Sequence, residues 1–254
     1  MTARTETHPR IQQRRADVEV ARVRGRNRKL VGLAMVVVLG LIGFGVTQSP
    51  LLDVDEVRII GAARTEPDEL RELSGVEPGT SLVGLDLGAA ERRLLEVPAI
   101  ESVESARTWS GVVTFEVRER EPVARIHSPE GVLIAARDGL VIEITDEPDE
   151  SLPLISGAMF SSSVGAVLPP ELADPVLVAD SLPPDIARVT ERIELSVGGL
   201  ALRLDGGGLV EFGDARALDA KFDALRAFLA QVDLSCLGEI DVQAPQVPVL
   251  TRGC

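Results

Sequence analysis

"VVTFEVREREPVARI" (Val112–Ile126) holds a change of pattern that organises the rest of the chain. Val113, Phe115 and Val117 alternate with Thr114, Glu116 and Arg118, the period of two that marks a strand with one buried and one wet face. The charged run that follows ends at Pro122, which cannot donate to a central ladder. Beyond it the sequence is mostly strands. The folded part of the chain is therefore expected to divide near residue 121.

Working upstream, Trp109-Ser110-Gly111 makes a hairpin turn that joins this strand to "AIESVESARTW". "DLGAAERRLLEV" (Asp86–Val97) reads as a helix with Leu87, Ala90 and Leu94 on one face, closed by Pro98. "TEPDELRELSGV" reads as a shorter helix, with Thr65 as N-cap and an end near Gly75. "VDEVRIIGA" (Val54–Ala62) is a first strand. The order β-α-α-β-β predicts a small sandwich whose helices cover one face of the sheet.

Downstream, "GVLIAA" and "LVIEI" flank "RDG", a hairpin signal. The Pro-, Ser- and acid-rich stretch after Thr145 predicts loop, with a short helix after Pro170. "ERIELSV", "LALRL" and "LVEFG" are three further strands. "DARALDAKFDALRAFLAQV" carries Leu218, Phe222, Leu225 and Leu229 on one helical stripe. "EIDVQ" is expected to close the sheet.

The N-terminal residues belong to a different environment. Residues 1–29 carry nine Lys/Arg against three acids, while the other residues carry 17 against 37. From Leu30 to Leu52 no residue is charged, and Leu30 to Val46 is wholly apolar or Gly. Seventeen residues at a helical rise cover roughly 26 Å, the scale of a bilayer core. A cleaved signal peptide is the rival reading; the long leader and the lack of a small-x-small site in "GFGVTQSP" count against it. An uncleaved anchor over 30–50 is expected, with Arg22, Arg24, Arg26, Arg28 and Lys29 holding the N-terminus in the cytoplasm. Residues 1–29 are then a disordered basic cytoplasmic tail. The remainder divides into 51–121, 122–250 and a tail at 251–254, all outside the cytoplasm.

The acidic body repels phosphate backbones, which argues against nucleic-acid binding. Catalytic constellations are missing from the sequence. The two histidines, His8 and His127, stand apart, and no spacing suits a metal. The acidic "TDEPDE" (Thr145–Glu150) reads as a solvated loop rather than a calcium site. No nucleophile elbow or phosphate-cradling loop occurs, and Lys221, the lone lysine beyond the apolar run, has no serine three residues before it. No enzyme activity and no cofactor are expected. Cys236 and Cys254 can pair in an oxidising compartment, closing a loop worth about 3 kcal/mol, or remain two thiols.

Several stretches together carry a family resemblance: "LLDVDEVRIIGAARTEPDELRELSGVEPGTSLVGLDL", "VPAIESVESARTWSGVVTFEVREREPVARI", "RDGLVIEI", "LALRLDGGGLVEFG", Lys221, and the closing "IDVQAPQVPVLTR". With the basic tail and single span, they resemble the FtsQ/DivIB family of bacterial division proteins over about residues 25–252. The resemblance implies an α+β fold: one N-terminal transmembrane helix, a β-α-α-β-β POTRA domain, and a mostly antiparallel β domain with packed helices. It implies a non-enzymatic divisome scaffold at the septum of the bacterial inner membrane, one that binds FtsB-like and FtsL-like bitopic partners and helps control septal peptidoglycan synthesis. A POTRA-bearing envelope assembly or translocation factor is the alternative.

In the family the last strand region receives FtsB. Here that places partner binding on Glu239, Ile240, Asp241, Val242, Gln243, Ala244, Pro245, Gln246 and Val247. Pro245 and Pro248 each lack an N–H, so continuous pairing of an added strand is expected only along Glu239 to Ala244. The stretch has no aromatic anchor. For Ile240 and Val242, core packing and interface remain open alternatives.

Overall fold

The computed structural model describes residues 31–41, 52–157, 160–196, 198–231 and 237–252. The residues expected to set topology, Arg22 to Lys29, and both Cys236 and Cys254 lie outside the described residues. Residues 31–41 form a helix, α1, whose Val31, Leu33, Met35 and Leu39 are exposed. Among the described residues no helix is long and apolar enough to cross a membrane.

Packing gathers the chain into two compact units. The first holds the described residues up to Val57 together with Val76–Asp86 and Arg107–Val113. Within it, Val54 N–H donates to Thr80 O at 2.8 Å, Leu82 N–H to Leu52 O at 2.8 Å, and Asp55 N–H to Gly111 O at 2.7 Å.

The second unit holds Arg58–Gly75, Leu87–Ala106 and the described residues from Thr114 onward. The first sheet has the order β1-β3-β2, from β1 (Glu56–Ile60), β2 (Ile100–Arg107) and β3 (Val112–Glu119). Val113, Phe115 and Val117 of β3 are buried and their neighbours are not, as the alternation demands. Helices α2 (Pro67–Ser74) and α3 (Leu87–Leu95) pack on each other and bury Leu70, Ala90 and Leu94. Helix α2 departs from expectation at its start: Glu66, not Thr65, is the N-cap. Thr65 N–H donates instead to the Glu119 carboxylate at 2.8 Å, as does Arg64 N–H at 2.9 Å. Burial pushes the Glu119 carboxyl up, but the N–H groups of Thr65, Arg64 and Ala63 outweigh it and hold the group below its ordinary value. Gly75 ends α2 in the left-handed region (φ 65°), the conformation that its missing Cβ permits.

Between Glu119 and Pro122 the chain changes sheet. The second sheet has nine strands in the order β12-β11-β10-β9-β8-β7-β4-β5-β6. They are β4 (Pro122–Ser128), β5 (Gly131–Ala136), β6 (Val141–Thr145), β7 (Leu154–Ser156), β8 (Thr190–Ser196), β9 (Gly199–Leu204), β10 (Leu209–Gly213), β11 (Leu237–Asp241) and β12 (Val249–Arg252). Pairing is antiparallel except at β4/β7, β7/β8 and β10/β11. Helices α4 (Ala173–Ser181), α5 (Pro184–Ala187) and α6 (Leu218–Leu229) contribute Val176, Ile186, Phe222 and Leu225 to the core that also holds Ile126, Ile193, Leu202 and Phe212. Several elements exceed the sequence reading, among them three in the second sheet and its helices. Strand β7 lies inside the expected loop, α5 is an extra turn of helix, and β12 extends the sheet through Thr251 and Arg252, where a tail is expected.

Candidate functional site: the β10–β12 end of the sheet

This end is built by a crossover. Strand β10 runs into the loop at Asp214, helix α6 carries the chain back, and β11 pairs parallel to β10 with Leu209 opposite Glu239, Val210 opposite Ile240 and Glu211 opposite Asp241. A tight turn then reverses the chain into β12. Val247 N–H donates to Ala244 O at 3.0 Å, so Pro245 occupies the second position of the turn, where its fixed φ is an asset. Strand β12 lies antiparallel to β11, with Asp241 opposite Val249, Ile240 opposite Leu250 and Glu239 opposite Thr251.

The loop between β10 and α6 is fastened by Lys221. Lys221 is only 2% exposed. Its Nζ donates to Phe212 O and Asp214 O, each at 2.8 Å, and to Asp214 Oδ1 at 3.1 Å. All three ammonium protons thus have acceptors, and the charge also sits 5.2 Å from the centre of the Phe212 ring. Asp214 is held near pKa 2, first by the backbone N–H of Arg216 and then by Lys221 and the Arg216 side chain. An ammonium so fully engaged with carbonyls is a structural clasp and offers no free base to a nucleophile.

The nominated partner-binding run separates into two faces. Ile240 and Val242 are fully buried in the core, which resolves the question left open by the sequence. Glu239, Gln243, Ala244, Gln246 and Val247 are exposed, while Asp241 and Pro245 are half-buried. Strand β11 has a neighbour on each edge over Glu239 to Asp241, β10 on one side and β12 on the other. The open edge falls one strand later. Among the described residues nothing pairs with the outer side of β12, a strand of four residues. At the other end of the sheet, Val141 of β6 exchanges hydrogen bonds with Gly165 and Ala166 at 2.8 and 2.9 Å, which covers the start of that edge.

Beside the open edge the apolar side chains Val247 (74% exposed) and Val249 (56% exposed) face solvent. The face opposite the core carries Glu211, Glu239 and Asp241. Burial raises the Glu211 carboxyl above its ordinary value, and repulsion from Glu239 and Asp241 adds to the rise. The edge therefore combines unpaired backbone groups, two exposed valines and a concentration of negative charge, a surface suited to an extended segment with basic side chains.

Comparison with known proteins matches this architecture. Residues 52–120 fit the family model of the FtsQ-type POTRA domain. The chain is 30% identical over 172 residues to the cell division protein FtsQ of Corynebacterium glutamicum, an alignment covering 66% of this chain and 74% of that protein. It is 28% identical over 218 residues to FtsQ of Streptomyces griseus, covering 80% of this chain and 99% of that one. FtsQ of Streptomyces collinus is 28% identical over 233 residues, 88% of each chain. The resemblance read from the quoted stretches thus extends through both sheets, and the chain belongs to the FtsQ family of cell division proteins.

Proposed function

We propose that this protein is a non-enzymatic scaffold of the division complex, anchored by one membrane span at 30–50 with its N-terminus in the cytoplasm and its sheets outside. Its partners in this reading are small bitopic coiled-coil proteins, FtsB-like and FtsL-like, and through them it helps control septal peptidoglycan synthesis. The observation that carries the reading is the open β12 edge. An added strand would extend the nine-stranded sheet to a tenth, pairing with Val249–Arg252.

Alternate residues of a strand turn their backbone groups to one edge, so four residues offer roughly four hydrogen bonds, each worth about 1 kcal/mol net. Such pairing alone corresponds to an affinity of about 1 mM. Contacts at Val247 and Val249, attraction to the acidic face, and confinement of both chains to one membrane supply the remainder.

The test is capture of the extracytoplasmic segment of the FtsB-like partner by the full chain in detergent. Val249→Lys places a charge on the edge and should weaken capture at least tenfold while leaving the urea midpoint unchanged. Undiminished capture by a folded Val249→Lys protein would remove β12 as the docking strand.

A further inference from the structure

The chain has one tryptophan and no tyrosine. Trp109 is 77% exposed at the tip of the β2–β3 turn, an unusual place for the largest apolar side chain. It belongs to a tip made of two segments. Arg107 donates from a terminal guanidinium nitrogen to Leu82 O at 2.6 Å and to Leu85 O at 3.3 Å, tying the 79–85 loop to the hairpin. Thr108 N–H donates to Val112 O at 2.9 Å and closes the turn. The two segments, "GTSLVGL" (Gly79–Leu85) and "TWSGVV" (Thr108–Val113), contain no charged residue, although the chain beyond the apolar run is strongly acidic. Val83, the middle of the first, is 47% exposed.

The tip is fastened to the beginning of the folded chain. Leu82 N–H donates to Leu52 O at 2.8 Å, Gly79 N–H to Val54 O at 2.7 Å, and Asp55 N–H to Gly111 O at 2.7 Å. If the span ends at residue 50, Leu52 follows within about 7 Å and Asp55 within about 18 Å of fully extended chain. Those lengths match the depth of a headgroup region, where tryptophan is favoured because its ring is apolar and its N–H needs a polar partner. The charges nearby are Asp53, Asp55, Glu56, Glu77, Asp86 and Arg107. Arg107 is engaged by carbonyls, and the acids restrict insertion to the headgroup level.

We infer that the neutral tip carrying Trp109 and Val83 rests in the outer face of the membrane, so that the lipid surface is a second contact of the folded part beyond its anchor. The inference rests on the reading that residues 30–50 span the bilayer. Its consequence is orientation: a domain pinned at both the span and the hairpin cannot swivel freely about residue 51.

Trp109 is its own reporter. The full chain is reconstituted into phosphatidylethanolamine–phosphatidylglycerol vesicles, with and without lipids brominated high on the acyl chain, and flotation is recorded alongside tryptophan emission. The expected result is co-flotation, a blue-shifted emission, and at least a twofold loss of intensity with brominated lipid. Co-flotation with emission indifferent to bromine and freely quenched by aqueous iodide overturns the inference alone. A blue shift without bromine quenching means that protein covers Trp109, and overturns it too. Failure to co-float overturns the anchor and the inference together.

Discussion

Replacing Lys221 with Met keeps the length of the side chain and removes the ammonium. The structure sets the size of the effect. Phe212 O and Asp214 O lose donors at 2.8 Å, and the Phe212 ring loses a cation at 5.2 Å. A buried acceptor left without a donor costs about 1–3 kcal/mol, and the ring contact contributes about 0.5–1 kcal/mol more. Against this, Met needs no dehydration of a charge, and the Asp214 carbonyl can recover water. A net loss of about 2–4 kcal/mol follows, which for a marginally stable fold is a large fraction of the whole. Urea unfolding of the full chain in detergent, followed by far-UV circular dichroism, should show a lower midpoint with an unchanged slope. A loss below about 0.5 kcal/mol would refute the clasp, placing Lys221 with ordinary surface substitutions.

The Asp214 carboxylate has a folded pKa near 2, below its unfolded value of about 3.9; its contribution to stability is present above pH ~4 and is lost as pH falls through about 2. Acid titration of the urea midpoint should therefore be shallower between those values in Asp214→Asn than in the native chain. Gly61 has φ +92° and a Cβ there would lie 2.1 Å from Val117 O, so Gly61→Ala should cost at least about 1–3 kcal/mol in backbone strain, measured as a drop in Tm. Ile240→Ala should cost about 2–5 kcal/mol as a core truncation, whereas Val247→Ala should change stability by less than about 0.5 kcal/mol; equal losses would contradict the assignment of faces. Glu211→Gln relieves the repulsion from Glu239 and Asp241, so it should raise the urea midpoint slightly while weakening capture of a basic partner segment, and a change of both in one direction would count against the acidic face as a recognition element.

The parts legible in the sequence are those whose signal is local. Alternation fixes β3, helical periodicity fixes α2, α3 and α6, and the Asp138-Gly139 turn fixes the β5–β6 hairpin. The elements that escape have weak or misleading local signals. Strand β7 is three residues between Pro153 and Gly157, too short for a period to declare itself, and it exists because β4 and β8 pair on either side of it. Strand β12 escapes because Pro245 and Pro248 suggest an end to pairing. Pro245 instead makes the turn, and the run Val249-Leu250-Thr251 after it is the signal that points to a strand. Glu119 leaves no trace at all, since the amides that it accepts from lie more than fifty positions away. At the candidate site the region is legible from the family resemblance, but the split into core and surface faces requires the register.

Among the described residues strand β12 is held on one side only, which makes the last hairpin a place of low local stability. Its four residues pair with β11, and β11 is reached by a crossover that begins at the Lys221 clasp. Local opening at such an edge costs less than global unfolding, because few buried contacts are lost: of the strand's side chains Leu250 packs on the core, while Val249 and Thr251 are exposed. A partner strand would turn this edge into an interior strand with neighbours on both sides. Binding and ordering of the hairpin are then one linked equilibrium, in which a ligand that prefers the closed state stabilises it by mass action. Hydrogen exchange would read this directly as slowed exchange of the β11–β12 amides on partner capture. A Lys221→Met protein would bind more weakly without any change at the contact surface, because part of the binding free energy would be spent closing the crossover.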